Sequence, residues 1–299
     1  VFHTDWKPGP PWSGSGRQNV PLYKTRSHPM TTHITFIGGG NMASAIIGGL
    51  LKQGMTAQQI DVVEPYAEAR ARLLAQFGIT ALEGPGPALE KTSLVVWAVK
   101  PQTFKDAALA TCAHTGHALH LSVAAGIRSD SIASWLGTQR IVRAMPNTPA
   151  LVGLGMTALF GRPAVSAADR QLVERVIATT GQYLWVDPES QLDAVTALSG
   201  SGPAYVFYFL EAMTQAGVDM GLPREQAHQL AVGTFVGASE LARASDESPD
   251  VLRQRVTSKG GTTYAAITSM EQDHMKELFM RALHAAKDRA HELGDEFGA

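Results

Sequence analysis

Between Thr31 and about Val186, short apolar runs alternate with segments of helical spacing. The runs are "HITFIGGG", "IDVVEP", "SLVVWAVKP", "HALHLSVAAG" and "RIVRAMPNTP", each ended by glycine or proline. Between them, "AEARARLLAQFG" and "SIASWLG" repeat apolar residues at helical intervals. "GMTALFG" and "GQYLWV" read as two further strands flanking the helix "AADRQLVERVIATTG". Strands alternating with helices build βαβ units, and hence a doubly wound α/β domain around a parallel sheet.

After Pro188 the pattern changes. No convincing strand follows, and "PAYVFYFLEAMTQAG", "PREQAHQLAVGTFVGASELARA", "PDVLRQRV" and "DHMKELFMRALHAAKDRAHELG" read as helices, with proline near the starts of the first three. The first two lack a clean polar face, and "AYVFYF" is apolar almost all round. A helix of that kind is buried deeply or buried against a second subunit. With so little chain available, the second explanation is favoured. The expected organisation is therefore a dinucleotide-type α/β domain over 30–187 and an all-α domain over 188–299 that binds substrate and dimerises. Residues 1–29 are rich in Pro, Gly and Ser, have neither period, and are expected to be a disordered leader or cloning-derived segment.

Composition narrows the function classes. A formal net charge of −2 on 299 residues, with no long basic run, gives no electrostatic footprint for nucleic acid. The single cysteine, Cys112, leaves no intramolecular disulfide framework and fits a reducing compartment. No segment approaches the roughly 20 apolar residues of a membrane span. A cytoplasmic globular protein is expected.

"ITFIGGGNMASAIIGGLL" sets Gly38, Gly40 and Ala43 at G-x-G-x-x-A spacing, with a strand before and a helix beginning inside it. Gly38 permits the tight turn, Gly40 lets backbone approach a pyrophosphate, and Ala43 lets the helix pack close to the sheet. The amide end of that helix, at Asn41 and Met42, faces the negative charge. This reads as the first turn of a Rossmann-type domain that takes NADH or NADPH; a strand–helix turn with no ligand is the plainer alternative. Glu64 ends the next strand, 26 residues after Gly38. Its carboxylate suits a ribose diol and repels a 2′-phosphate, which leans toward NADH; a surface glutamate ending a strand is the alternative. "WAVKPQ" closes another strand, so Ala98, Val99, Lys100 and Pro101 should border the nicotinamide half. Lys100 is either a cofactor contact or solvated surface. Asn147, held between prolines in "AMPNTPALVG", either touches cofactor or substrate or serves the turn.

"LSGSGPAYVF" joins the two halves and opens a helix at Pro203. Several two-domain dehydrogenases carry a lysine about a turn into such a hinge helix, where it protonates the alkoxide formed from a ketone. Here no Lys, His or Asp occurs before Glu211. Carbonyl reduction would lack its general acid. A protonated imine needs none, since its carbon is already electrophilic and no oxyanion develops. The acceptor is therefore expected to be C=N.

"TSKGGTTYAA", residues 257–266, is no P-loop, because Lys259 precedes both glycines. It opens a helix with paired glycines and suits a smaller anion: a substrate carboxylate held by the N–H groups of Gly261, Thr262 and Thr263. The Thr263 hydroxyl is then placed to reach an imine nitrogen. A capped helix after a glycine turn is the plainer reading of the same residues.

Taken together, these stretches resemble the pyrroline-5-carboxylate reductase family. "PDVLRQRVTSKGGTTYAAITSME" (249–271) matches that family's signature, and "FIGGGNMASAIIGGL", "WAVKPQ", "MPNTPALVG" and "LSGSGPAYVF" resemble its other motifs in the same order. The resemblance covers essentially 30–299. It implies reduction of L-1-pyrroline-5-carboxylate to L-proline with NADPH or NADH, the last step of proline biosynthesis. It also implies a helical domain that interlocks into a homodimer, with many family dimers assembling into decamers. The family's substrate loop maps onto Ser258, Gly260, Gly261, Thr262 and Thr263, with Thr263 near the ring nitrogen and so the catalytic candidate. Lys259 departs from the proline common at that place in some members.

Other features carry less. Cys112, His114, His117 and His120 look like a metal cluster, but Gly116 breaks the helix and His120 enters a strand, so no metal site is expected. His274, His284 and His291 are expected to be solvated or interfacial, and Met220 and Met275 to pack. A reductase of another cyclic imine carboxylate is the nearest rival. A non-catalytic dinucleotide sensor is the other, and it would need no second anion nest.

Overall fold

The computed structural model describes residues 32–298, so the expectation for 1–29 lies outside the described residues. Two compact units divide the chain: one is Ala204–Arg281, and the other holds the residues up to Pro203 together with those from Ala282 onward.

The larger unit contains a seven-stranded sheet: β1 (Ile34–Ile37), β2 (Ile60–Val63), β3 (Leu94–Trp97), β4 (Leu119–Ser122), β5 (Ile141–Met145), β6 (Gly155–Gly161) and β7 (Gly181–Trp185). Its order is β2-β1-β3-β4-β5-β6-β7, so the direction of winding switches between β1 and β3. The connecting helices are α1 (Asn41–Lys52), α2 (Ala67–Phe77), α3 (Pro101–Thr115), α4 (Ser129–Leu136) and α5 (Ala167–Ile177). Alternation along each strand feeds two apolar layers. Ile34 and Phe36 join Ile46, Leu50, Leu73 and Val173 on one face; Ile37 and Trp97 join Phe104, Ala108 and Ile132 on the other. The unit is doubly wound, as the sequence pattern predicts.

One strand pair departs from that pattern. β5 and β6 run antiparallel, whereas β6 and β7 are parallel again. The link from Met145 to Gly155 holds only the MPNTP loop and a single 3-10 turn, Thr148–Val152. That is too short for the crossover a parallel neighbour requires, so the chain must reverse.

After β7 come the short helix α6 (Gln191–Val195), a π turn (Thr196–Gly200), and α7 (Gly202–Asp219), α8 (Arg224–Ala244), α9 (Pro249–Arg255), α10 (Thr262–Gln272) and α11 (Met275–Phe297). The change from strands to helices falls near Pro188, but the larger unit extends to Pro203. The reason is packing: Leu192 is buried, and Glu189 pairs with Arg143 of β5 at 2.6 Å. The end of α11 belongs there too, through Arg128–Asp295 at 2.7 Å and Ser131 Oγ donating to the Gly298 carbonyl at 2.8 Å.

Within Ala204–Arg281 little side chain is buried. α7 buries only Thr214 and Gly217, α8 only Ala227 and Ala231, and α9 and α10 nothing. Phe279 packs edge-on against Tyr205 and Phe209, yet Phe207 and Tyr208 remain 64% and 71% exposed. Aromatic side chains on that scale are left for a second molecule to cover. Among the described residues, no helix is long and apolar enough to cross a membrane.

Candidate active site

The first glycine loop sits at the carboxyl end of β1, beside the carboxyl end of β3. That is the switch point of the sheet, where open α/β folds form their ligand crevice. Gly38 has φ +94°, and a Cβ there would lie 2.6 Å from the Ala98 carbonyl oxygen. Only glycine fits, because both conformation and space exclude a side chain. Gly40 is exposed, and a Cβ on it would have nothing within 4 Å. As the N-cap of α1, Gly40 offers no side-chain cap. The first-turn amides at Asn41, Met42 and Ala43 therefore open toward clear space, the arrangement that takes a pyrophosphate. Ala43 itself is fully buried under the sheet.

Glu64 follows β2 and is buried, with 6% exposure. Its Oε2 accepts the Gly39 N–H at 2.8 Å, and its Oε1 accepts the Tyr66 N–H at 3.0 Å. The carboxylate is thus fastened to the glycine loop itself rather than lying as a surface strand end. Arg70 does not pair with that carboxylate. Its Nη1 donates to the Glu64 and Pro65 carbonyls at 3.0 and 2.6 Å, and its Nη2 lies 3.7 Å from Glu83. Sequence reading passed over Gly39, the unassigned middle residue of the motif. Its signal was the third consecutive glycine: a Cβ on Gly39 would meet Leu73 at 2.6 Å.

Ala98 and Val99 are half-buried beyond β3, and exposed Lys100 is the N-cap of α3, with Pro101 as its first residue. Asn147 has its amide engaged within the protein. Oδ1 accepts the Met156 N–H at 2.9 Å, while Nδ2 donates to the Ser199 carbonyl and hydroxyl at 3.3 and 3.2 Å. The structure thus brings the MPNTP loop onto the LSGSG turn.

The second loop is built locally. Gly260 has φ +74°, and the Gly261 N–H donates back to the Ser258 carbonyl at 3.0 Å. A Cβ on Gly261 would sit 2.8 Å from Ser258 Oγ. Gly261 is the N-cap of α10 and supplies no side-chain cap. The expected nest therefore changes by one residue: the Gly261 amide closes the turn, and the open donors are those of Thr262, Thr263 and the next residue, Tyr264. Thr262 is exposed and Thr263 half-buried.

The histidine-rich stretch is dispersed by its own secondary structure. Cys112 Sγ donates to the Leu109 carbonyl, His114 faces Glu90 at 3.3 Å, and His117 meets the Thr92 carbonyl at 3.1 Å. Trp97 Nε1–H donates to His120 Nδ1 at 3.1 Å, and His120 Nε2 lies 3.1 Å from the Thr115 carbonyl. This fixes a neutral tautomer, and burial lowers the His120 pKa to about 4. Among the described residues, no three His, Cys, Asp or Glu side chains gather as a metal site would require.

Residues 189–293 match the family model for pyrroline-5-carboxylate reductase dimerisation, and residues 33–126 match one described as NADP oxidoreductase, coenzyme F420-dependent. The pyrroline-5-carboxylate reductase of Pseudomonas aeruginosa is 44% identical over 270 residues, covering 90% of this chain and 99% of that protein. The chain belongs to the pyrroline-5-carboxylate reductase family. Solved reductases of the family share the fold. The Coxiella burnetii structure aligns with TM-score 0.81 at 38% identity, covering 88% of this chain and 98% of its own. The Plasmodium falciparum structure, solved with NADP bound, aligns with TM-score 0.80 at 27% identity over 88% of this chain and 98% of that one.

Proposed function

We propose that this protein reduces L-1-pyrroline-5-carboxylate to L-proline, taking hydride from NAD(P)H, in proline biosynthesis. The observation that carries the reading is the Ser258–Thr263 turn, a second uncapped helix start in a chain whose dinucleotide loop lies elsewhere. It gives the helical unit a seat for a small carboxylate, independent of the cofactor phosphates.

Gly38, Gly40 and the amides of Asn41, Met42 and Ala43 would hold the cofactor's pyrophosphate, and Ala98 to Pro101 would border its nicotinamide half. Asn147 acts by holding the loop beside the LSGSG turn. When bound, NAD(P)H supplies a hydride from nicotinamide C4. The protein's residues hold the ring so that C5 of the protonated imine faces it. With hydride delivered to C5, the C=N π pair would become the lone pair of the product amine, the cofactor being the two-electron reductant. The imine proton stays on nitrogen, so no general acid is needed, in keeping with the apolar start of α7. Amides of Thr262 and Thr263 hold the substrate carboxylate, and the Thr263 hydroxyl bonds the ring nitrogen. Orientation of this kind supplies several kcal/mol of the barrier reduction.

The protein works as a homo-oligomer: the exposed aromatic residues of α7 and the exposed Leu230, Val236 and Leu241 of α8 form the surfaces a partner covers. A homodimer is the working unit, and sedimentation at equilibrium separates it from a decamer. Residues 30–187 serve the cofactor, and 188–299 serve substrate and dimerisation. The lone Cys112 suits the cytoplasm. Purified protein given pyrroline-5-carboxylate should consume NAD(P)H and form L-proline in equal amounts. Cofactor binding with no proline formed would refute the substrate.

A further inference from the structure

Within this reading, we infer that the chain selects NADH over NADPH, and that Glu64 makes the selection. Three observations converge on it. The carboxylate sits at the end of β2, where a Rossmann-type domain meets the adenosine ribose. It is fixed there by the Gly39 and Tyr66 amides, at 2.8 and 3.0 Å, and is 6% exposed. Each oxygen accepts one N–H and keeps a lone pair for a further donor. A ribose diol supplies two such donors, one to each oxygen.

A 2′-phosphate removes one of the two, leaving only the 3′-hydroxyl to donate. It brings close to two negative charges against a carboxylate that water screens poorly. Among the described residues, no cation forms an ion pair with this carboxylate. Arg70, on the first turn of α2, directs its guanidinium to the carbonyls of Glu64 and Pro65 and toward Glu83. The "EPY" segment between β2 and α2 contains no serine, threonine or arginine that would cradle a phosphate. The Plasmodium falciparum relative holds NADP, so the preference inferred here belongs to this chain rather than to the fold.

The test reads binding without substrate, so it stands even if the imine proves to be a different one. Nicotinamide fluorescence is titrated with NADH and with NADPH on wild type, Glu64→Gln and Arg70→Gln. Wild type should bind NADH at least about tenfold more tightly. Glu64→Gln should weaken NADH and tighten NADPH until the ratio approaches one. Arg70→Gln should leave the ratio within about twofold of wild type, because that guanidinium serves carbonyls. As a check that needs no variant, adenosine 2′,5′-bisphosphate should displace NADH at least about tenfold less effectively than AMP. Wild-type binding that is equal for the two cofactors or favours NADPH overturns the inference. A Glu64→Gln change that weakens both alike also overturns it, since Glu64 would then only pin the loop.

Discussion

The two glycine loops solve one problem with different supports. At Gly38 the positive φ and the crowded Cβ position coincide in one residue, and the crowding comes from Ala98, just beyond the end of β3. In the second loop the two duties are split. Gly260 carries φ +74° in open space, while Gly261 is crowded by Ser258, three residues back. The first loop is therefore a product of the sheet: it exists only when β1, β2 and β3 are in register. The second is a local turn followed by a helix, and its shape asks little of the rest of the chain. Damage at Gly38 should appear as lost stability together with lost cofactor binding, and damage to the second loop as lost substrate affinity with a smaller cost in stability.

Gly38→Ala should give the largest effect. Strain at φ +94° adds to a 2.6 Å approach to backbone, so unfolding free energy should fall by about 2–5 kcal/mol, with cofactor binding lost. Gly40→Ala sharpens the contrast: with nothing within 4 Å its melting temperature should hold, while NADH binds more weakly. Equal melting losses in the two variants would break the account of the first loop.

Acid probes the same support. His120 accepts from Trp97, the residue before Ala98, and burial lowers its folded pKa to about 4 from the ordinary 6.5. The folded state disfavours the proton, so this stability is complete above about pH 6.5. It should fall by about 3 kcal/mol as pH drops through the window to about 4. Chemical unfolding of wild type and His120→Gln across that range measures it. A wild-type slope no steeper than the variant's would contradict the assignment.

Smaller effects belong to the second loop. Gly260→Ala should cost about 1–2 kcal/mol through left-handed strain and raise KM for the imine, leaving the NADH Kd unchanged. Thr263→Ala removes the proposed hydrogen bond to the ring nitrogen, so kcat/KM should drop about tenfold, near 1.4 kcal/mol. A change within about twofold removes Thr263 from the mechanism.

What the sequence made legible follows from how local each feature is. The G-x-G-x-x-A spacing and the TSKGGTT turn are short-range, so their residues were readable one by one. The switch at the second loop, where the Gly261 amide turns back to Ser258, lies below the resolution of residue types. The Asn147–Ser199 clamp spans 52 positions, and nothing in either residue announces the other. Strand direction was hidden for a related reason: an apolar run reads the same whether its neighbour is parallel or antiparallel, and only the short link after Met145 forces β6 to reverse. The five-residue α6 was lost between Pro188 and the LSGSG turn, because one turn of helix carries almost no periodicity.

Isotope transfer tests the central claim most directly. Protein supplied with pyrroline-5-carboxylate and nicotinamide cofactor dideuterated at C4 should yield L-proline carrying one deuterium at C5. Proline without the label, or oxidised cofactor with no proline, would contradict direct hydride transfer to the imine carbon.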